Sequence, residues 1–558
     1  DFPKLMEHLA GHPLAMRLTL PRLDHHKAAN LLADLRGEGK AEAAEGGGHL
    51  DSLSACIAYS FRHLSPEHRR LLPALVLCEG VAFSGVLTAF SDQAEVPDRF
   101  RIGEGENWAK CLDAAAALGL LTPLEMGMYR IHPALPAALA TEWRRTCDDY
   151  VGDHAAAMDA MATAYAGFGS WLLAQIQSGD AEIAFALLAS QRRSLGRSLN
   201  HALQRQFWEK AQAILQPLNQ FWNASGLNTE ARGWSDRLYT AVESPSGAPP
   251  DLDTDAGALW LFVRGSDASR VYRAGDLDTA ESIYDNIRSR LERLPSESAK
   301  PLLSVAYHQL GTVAQRRGDL DAAENWCRQT LTIEEELGNK PGMASSYHQL
   351  GIIAQRRDDL ETAENWYRQS LAIKEELGKR LGMASTYHQL GIIAQMRNDL
   401  TAAENWYRQS LAIEEELGNR LGMANSYHHR GLVAQDRGDL AAAENWYRQS
   451  LAIKEELGNR PGLALTSGQL GLLALQQGDS ATALEWIVRA NALFPDFPSP
   501  NTGNSPRQLA LVTLRLGWPA LEQAWQRITG NDLPEQVRLA LPPLMEQVKA
   551  MLQPADVP

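Results

Sequence analysis

Apolar positions fall with a helical beat along most of the chain, and over Pro301–Arg460 the beat itself repeats. Tyr347, Leu350 and Ile353 predict a helix over about Gly342–Arg356. Trp366 and Leu371 mark the apolar side of a second, over about Leu360–Leu377. An Arg-Asp-Asp-Leu turn separates the two, and Gly378 closes the second. Tyr307, Tyr347, Tyr387 and Tyr427 stand 40 residues apart, as do Trp326, Trp366, Trp406 and Trp446. A fixed period of this length specifies a solenoid of stacked helix pairs, none of which buries its apolar face alone.

The copies can be compared with one another. The units starting at Leu381 and Leu421 differ at ten of 40 positions, seven of them in the first helix: 385/425, 386/426, 389/429, 390/430, 392/432, 393/433 and 396/436. At about 100° per residue these seven occupy one arc of roughly 160°, opposite the unchanged Tyr387, His388, Gly391, Ala394 and Gln395. The column Arg316, Arg356, Met396, Asp436 reads plus, plus, apolar, minus, which a packing position would not tolerate, so it is expected to face solvent or a partner. His308, His348, His388 and His428 form a ladder beside it. Helices pack ~8–10 Å apart, too far for neighbouring rungs each to reach ~2.0–2.1 Å from one zinc ion, so the ladder reads as hydrogen bonders rather than metal ligands. The tryptophan column reads as packing.

Leu350-Gly351, Ala363 and Tyr367, with the Ser370-Leu371-Ala372-Ile373 run, resemble the long form of the tetratricopeptide repeat, as in kinesin light chains and the sensor arms of bacterial signalling NTPases. Worn copies flank the four near-identical units at 301–460. One carries Gly275-Asp276-Leu277 with Ala280-Glu281, the other Gly478-Asp479 with Ala483 and Trp486, giving about six units over 257–500. The resemblance implies that the first helices line a concave groove where ligands bind. The candidate partner-binding residues are therefore Arg316, Ser345, His348, Gln349, Arg356, Ser385, His388, Gln389, Met396, Asn425, His428, His429 and Asp436. Arg430 stands where the family keeps a buried leucine, and implies a local repacking.

Ahead of the repeats, Asp1–Leu35 reads as helices around Gly11-His12-Pro13-Leu14-Ala15. That string resembles the Gly-Leu-Pro-Leu-Ala motif of NB-ARC-type STAND NTPases, with His12 in place of a leucine. Residues 1–40 then read as the end of a helical ARC-like region, and Lys40–Gly48 as a linker. Residues 50–148 resemble the winged-helix domain of the same NTPases: a helix at Leu53–Phe61, another opened by Ser65-Pro66, a third at Trp108–Leu118, a hairpin through Gly127, and a helix from Ala134 to Trp143. Arg130-Ile131-His132 falls where that family has Met-His-Asp, although Pro133 replaces the aspartate. The resemblance implies that Gly11, Pro13 and His132 contact nucleotide in a longer parent protein binding ADP or ATP with Mg. Residues 150–256 read as atypical helical repeats joining this region to the array, Ser244–Pro250 and Pro495–Pro506 as loops, and 501–558 as a helical cap. The fold class expected is all-α dominated, a winged helix followed by a right-handed tetratricopeptide α-solenoid with a helical cap.

Composition narrows the function. The 558 residues carry a net charge of −15 with acids and bases mixed, which argues against nucleic acid as main partner. Leu71–Phe90 is too interrupted to span a bilayer, and five scattered cysteines without a Cys-x-x-Cys pair suit a reducing, cytoplasmic setting. No Gly-x-x-x-x-Gly-Lys-[Ser/Thr] loop and no catalytic constellation is present, so this chain is read as no enzyme, without metal or cofactor of its own. Beginning at Asp1, it reads as part of a longer polypeptide. The expectation is the sensor and autoregulatory half of a STAND NTPase. A protein or peptide trigger binds the solenoid, a nucleotide-binding domain lies outside the chain, and oligomers form only on activation. Bacterial immunity against phage is implied by resemblance. A stand-alone tetratricopeptide scaffold and an NTPase-class transcription activator remain open.

Overall fold

The computed structural model describes residues 2–9, 13–20, 23, 27–42, 50–178, 181–294, 297 and 299–551. These fold as two compact bodies, Asp1–Ile287 and Arg288–Pro558.

The N-terminal body opens with helices Phe2–Leu9, Pro13–Thr19, Ala28–Glu42 and Leu50–Arg62. The third runs into the stretch expected to be a linker, because Lys40, Ala41 and Glu42 carry nothing that stops a helix. Ser65 caps the next helix, Pro66–Leu71, by accepting the His68 N–H at 3.1 Å. A short strand β1 (Val81–Phe83) follows, then helices Ser84–Ser91 and Trp108–Ala117, strands β2 (Leu121–Pro123) and β3 (Met128–Ile131), and helix Leu135–Arg145. The sheet is antiparallel in the order β1-β3-β2, with Ala82 opposite Tyr129 and Thr122 opposite Arg130. The expected hairpin is β2–β3; β1, which completes the sheet, was not foreseen. Beneath it Trp143 is fully buried edge-on to Phe100, and Trp108 donates to Ser91 Oγ at 2.7 Å. Long helices complete this body, among them Tyr150–Ser178, Ala181–Gln204, Trp208–Ser225 and Asp255–Ala274.

The C-terminal body is a run of helix pairs: repeat one (Ala299–Arg317, Leu320–Glu336), repeat two (Lys340–Arg356, Leu360–Glu376), repeat three (Arg380–Met396, Leu400–Glu416), repeat four (Arg420–Asp436, Leu440–Glu456) and repeat five (Arg460–Gln476, Ser480–Ala492). Asp319, Asp359, Asp399, Asp439 and Asp479 cap the second helices, each accepting the N–H three residues on. Within a repeat the two helices meet where a tyrosine lies on a glycine. Tyr367, Tyr407 and Tyr447 are fully buried, and a Cβ added to Gly351, Gly391 or Gly431 would come within 2.7, 2.5 and 2.5 Å of the ring. In repeat one Cys327 replaces the tyrosine, and the same Cβ on Gly311 would meet its sulfur at 3.4 Å. The tryptophan column is only half-buried. Its rings stack on Tyr307, Tyr347, Tyr387 and Tyr427 at 5.4–5.7 Å. After repeat five, helices Ser505–Leu516, Trp518–Thr529 and Glu535–Met551 share one core with it, including Ile487, Leu509, Leu521 and Leu541. The first begins inside the expected loop, with Pro506 in its opening turn, where proline is tolerated.

Gly391→Ala is expected to cost about 1–3 kcal/mol in thermal unfolding, by overpacking against Tyr407, while Gly311→Ala against the smaller Cys327 is expected to be far milder. Equal losses would show that the ring does not set the helix approach. The turns between helices give a second expectation. Asp358 and Asn398 hold φ of 61° and 60°, where other repeats place Gly318, Gly438 and Gly478. Replacing either by glycine should raise stability by roughly 1 kcal/mol, the left-handed cost of a side chain, and a fall in melting temperature would contradict it.

Candidate functional site

Each first helix is buried on two sides, and what it leaves open defines the candidate surface. Ala344, Leu350, Gly351 and Ile353 of repeat two are buried, as are their counterparts Ala384, Leu390, Gly391 and Ile393. Of the expected partner-binding residues, Arg316, Ser345, Arg356, Ser385, Met396, Asn425 and Asp436 are exposed. Gln349, Gln389, His348, His388, His428 and His429 are half-buried.

The exposed column is fastened from below. The Tyr367 hydroxyl donates to Gln355 Oε1 at 2.9 Å, Tyr407 to Gln395 at 3.3 Å and Tyr447 to Gln435 at 2.7 Å. With its oxygen so held, each glutamine amide reaches the exposed residue of the following repeat. Gln355 Nε2 meets Met396 Sδ at 3.8 Å, Gln395 Nε2 donates to Asp436 Oδ2 at 2.9 Å, and Gln435 Nε2 to Gln476 Oε1 at 2.9 Å. Arg356 donates instead to the Gln315 backbone carbonyl at 2.9 Å. Cys327 gives Gln315 no hydroxyl, and the Gln315 amide nitrogen is buried without a hydrogen-bond partner.

The histidines stand one layer deeper. His348, His388 and His428 each lie against a buried tyrosine, 5.3–5.6 Å between ring centres. His429 adds a second ring, 4.7 Å from His388 and 5.6 Å from His428, with Nδ1 3.3 Å from the Tyr407 hydroxyl. Among the described residues no group of three or more His, Cys, Asp or Glu is placed to hold a metal ion. One edge of each ring meets solvent, yet the rest is enclosed. Burial, with the Lys374 charge adding, pushes His348 down to about 4. Burial brings His388 to about 4, and with Lys454 and His388 it brings His428 to about 3. Burial and its cationic neighbours also lower His429.

The arc of changed positions is not one open face. Thr386, Leu390, Ile393, Ser426 and Val433 are buried, because an arc that wide runs from the open side of the helix into its packed flank. Arg430 does repack: it lies 3.9 Å over Trp446 and pairs with Glu404 at 2.6 Å. What the sequence reading missed is a polar column of alternating sign, Glu334, Lys374, Glu414, Lys454, buried but for the half-buried Lys374. Lys374 and Lys454 donate to Thr386 and Thr466 at 2.8 and 2.9 Å, and burial lowers both to about 8. Ser426 donates to Glu414 at 2.7 Å, and burial raises that carboxyl. Each lysine takes the threonine twelve residues on and Glu414 the serine at the same distance, whereas Glu334 is answered by Ser304, 30 residues earlier. Two of the ten differences already carried the signal, since 386/426 and 414/454 change together.

In the N-terminal body, Gly11 lies outside the described residues, and Pro13 opens helix Pro13–Thr19. His132 is half-buried directly after β3, and its Nδ1 accepts the Ala134 N–H at 3.2 Å. A neutral ring that accepts at Nδ1 carries its proton on Nε2.

The enclosed imidazoles are expected to make acid a denaturant of the array. An unfolded histidine takes up a proton near ~6.5, whereas His348 and His388 in the fold resist until about 4. Between those values the unfolded chain binds more protons, so stability falls as pH falls. The melting temperature is expected to drop between pH 6.5 and 4.5, and His388→Gln with His429→Gln should flatten that slope. An unchanged slope in the double variant would mean that the folded array protonates these rings freely.

The sequence model of the tetratricopeptide repeat family matches residues 302–376, 342–416 and 422–495. No curated protein matches the chain. Among solved structures, a Signal Transduction ATPase with Numerous Domains (STAND) protein with a tetratricopeptide repeat sensor, PH0952 from Pyrococcus horikoshii, aligns with 98% of this chain and 71% of its own, at a TM-score of 0.59 and 13% identity. BtubC (BKLC) from P. vanneervenii aligns with 41% of this chain and 89% of its own, at 0.36 and 21%. A Rap protein complexed with competence and sporulation factor aligns with 69% and 99%, at 0.42 and 14%. At such identities the first likeness is one of fold. The helix pairs of the C-terminal body are tetratricopeptide repeats, and the chain as a whole has a fold similar to that of a STAND protein bearing such a sensor.

Proposed function

We propose that this chain is the sensor and autoregulatory part of a STAND-type signalling NTPase. The repeats take a protein or peptide trigger on the open side of their first helices. Residues 50–148, as a winged helix, help hold the ADP-bound resting state of a nucleotide-binding domain outside this chain.

The observation that carries the sensor role is the column Arg356, Met396, Asp436. It changes charge from repeat to repeat while the glutamines and tyrosines beneath it stay the same. A scaffold under selection for packing alone has no use for such a column. The regulatory role has separate support. The order helix, strand, helix, helix, strand, strand with sheet order β1-β3-β2 fits a winged helix. His132, with Nδ1 engaged by Ala134, is in the tautomer that donates from Nε2, which suits a phosphate oxygen. The fold likeness to a STAND protein with a tetratricopeptide sensor agrees with both. Gly11 and Pro13 would lie beside the nucleotide, held with Mg in the upstream domain. A trigger shifts the protein to an open, oligomerising form only by preferring that form. This chain alone would hydrolyse no ATP, and it would act in the cytoplasm without nucleic acid or membrane as partner. Among the described residues no helix is long and apolar enough to cross a membrane. No described residue speaks for the antiphage role that the resemblance implies.

The reading frame upstream of Asp1 is expected to encode a Gly-x-x-x-x-Gly-Lys-[Ser/Thr] loop within roughly one domain's length. Protein purified with that segment should retain ADP, and His132→Ala should release it faster at unchanged melting temperature. A start codon close to Asp1, or an His132→Ala protein that holds ADP as tightly, would leave a stand-alone scaffold. A DNA-binding domain ahead of the loop would point to a transcription activator.

A further inference from the structure

Resting on the reading of the array as a peptide-binding surface, we propose that repeats two to four select an extended segment by charge order: an acidic residue against Arg356, an apolar one against Met396 and a basic one against Asp436, each about three residues from the next. The spacing follows from geometry. Side chains of successive first helices touch, as between Gln395 and Asp436 at 2.9 Å and between the His388 and His429 rings at 4.7 Å. Helices in such contact lie ~8–10 Å apart, and an extended chain rises ~3.3 Å per residue, so one repeat spans about three residues.

Charge on this face is concentrated in the column. Ser345, Ser385 and Asn425 beside it are exposed and neutral. Three neighbouring cations are already committed, Arg380 to Glu416, Arg357 to Glu324 and Arg397 to Glu364. Met396 is 48% exposed, an apolar side chain standing between the charged Arg356 and Asp436 in the column. Arg356 uses one guanidinium N–H on Gln315 and has further donors in the fork with which to meet a carboxylate. The glutamine tethers hold Met396 and Asp436 in place before anything binds, so less ordering is lost on association.

The test is selection from a random dodecapeptide display library on the full chain and on the variant Arg356→Asp, Asp436→Arg. Both positions are exposed, so the variant should melt with the parent. The parent is expected to enrich one order of acidic, apolar and basic residues at three-residue spacing. The variant should enrich the same spacing with the charges exchanged. A synthetic peptide of the parental order should bind the variant roughly tenfold more weakly. Enrichment without a charge order, or an order that survives the exchange, overturns the proposal and leaves a peptide-binding array that reads other residues. No enrichment on either protein overturns both this proposal and the peptide-binding reading beneath it.

Discussion

The repeat array depends on how closely its paired helices approach, and a tyrosine ring lying flat on a glycine sets that distance. Any side chain at Gly351, Gly391 or Gly431 would sit inside the ring's contact radius. The contact therefore fixes helix spacing and leaves the tyrosine hydroxyl facing the first helix. From there it grips a glutamine, and the glutamine grips the exposed residue of the following repeat. A core packing constraint is thereby carried to the surface in two bonds. Where Cys327 takes the tyrosine's place the hydroxyl is missing, and the Gln315 amide nitrogen has no partner because the exposed residue of the following repeat, Arg356, offers only donors.

The interior of the stack holds polar groups among its apolar ones. Besides the histidines, Ser370, Ser410 and Ser450 are buried and donate to the carbonyls of Ala344, Ala384 and Ala424. The alternating glutamates and lysines reach towards the first turn of the following helix. There Gly382 and Gly422 leave room for Lys374 and Glu414. Such groups cost desolvation and are tolerated because a hydroxyl answers them. Breaking one partner is therefore worse than replacing both.

The architecture of the array was legible because its signal is redundant: one period, one capping aspartate and one tyrosine–glycine pair, written several times over. The open or buried state of single positions was harder to read. A helical wheel reports direction but not depth, so Thr386 and Ser426, both buried, fell in the same arc as the exposed Ser385 and Asn425. β1 escaped because three residues, Val81–Phe83, are too short to show alternation, and their partner β3 lies far along the chain. The tether to Met396 and Asp436 was invisible for another reason: it joins residues 41 apart, in different repeats, through a glutamine that is the same in the first four repeats.

The lysine–threonine and glutamate–serine pairs straddle the joints between repeats, so a change in copy number changes which residues meet there. Near-identical copies invite unequal recombination. Losing a single copy would bring Lys374 up against Ser426 in place of Thr386, a hydroxyl that still answers the ammonium but lacks the threonine methyl. Losing two copies restores the match. The array is spelled in a two-letter alphabet, and a change of length by pairs keeps the spelling.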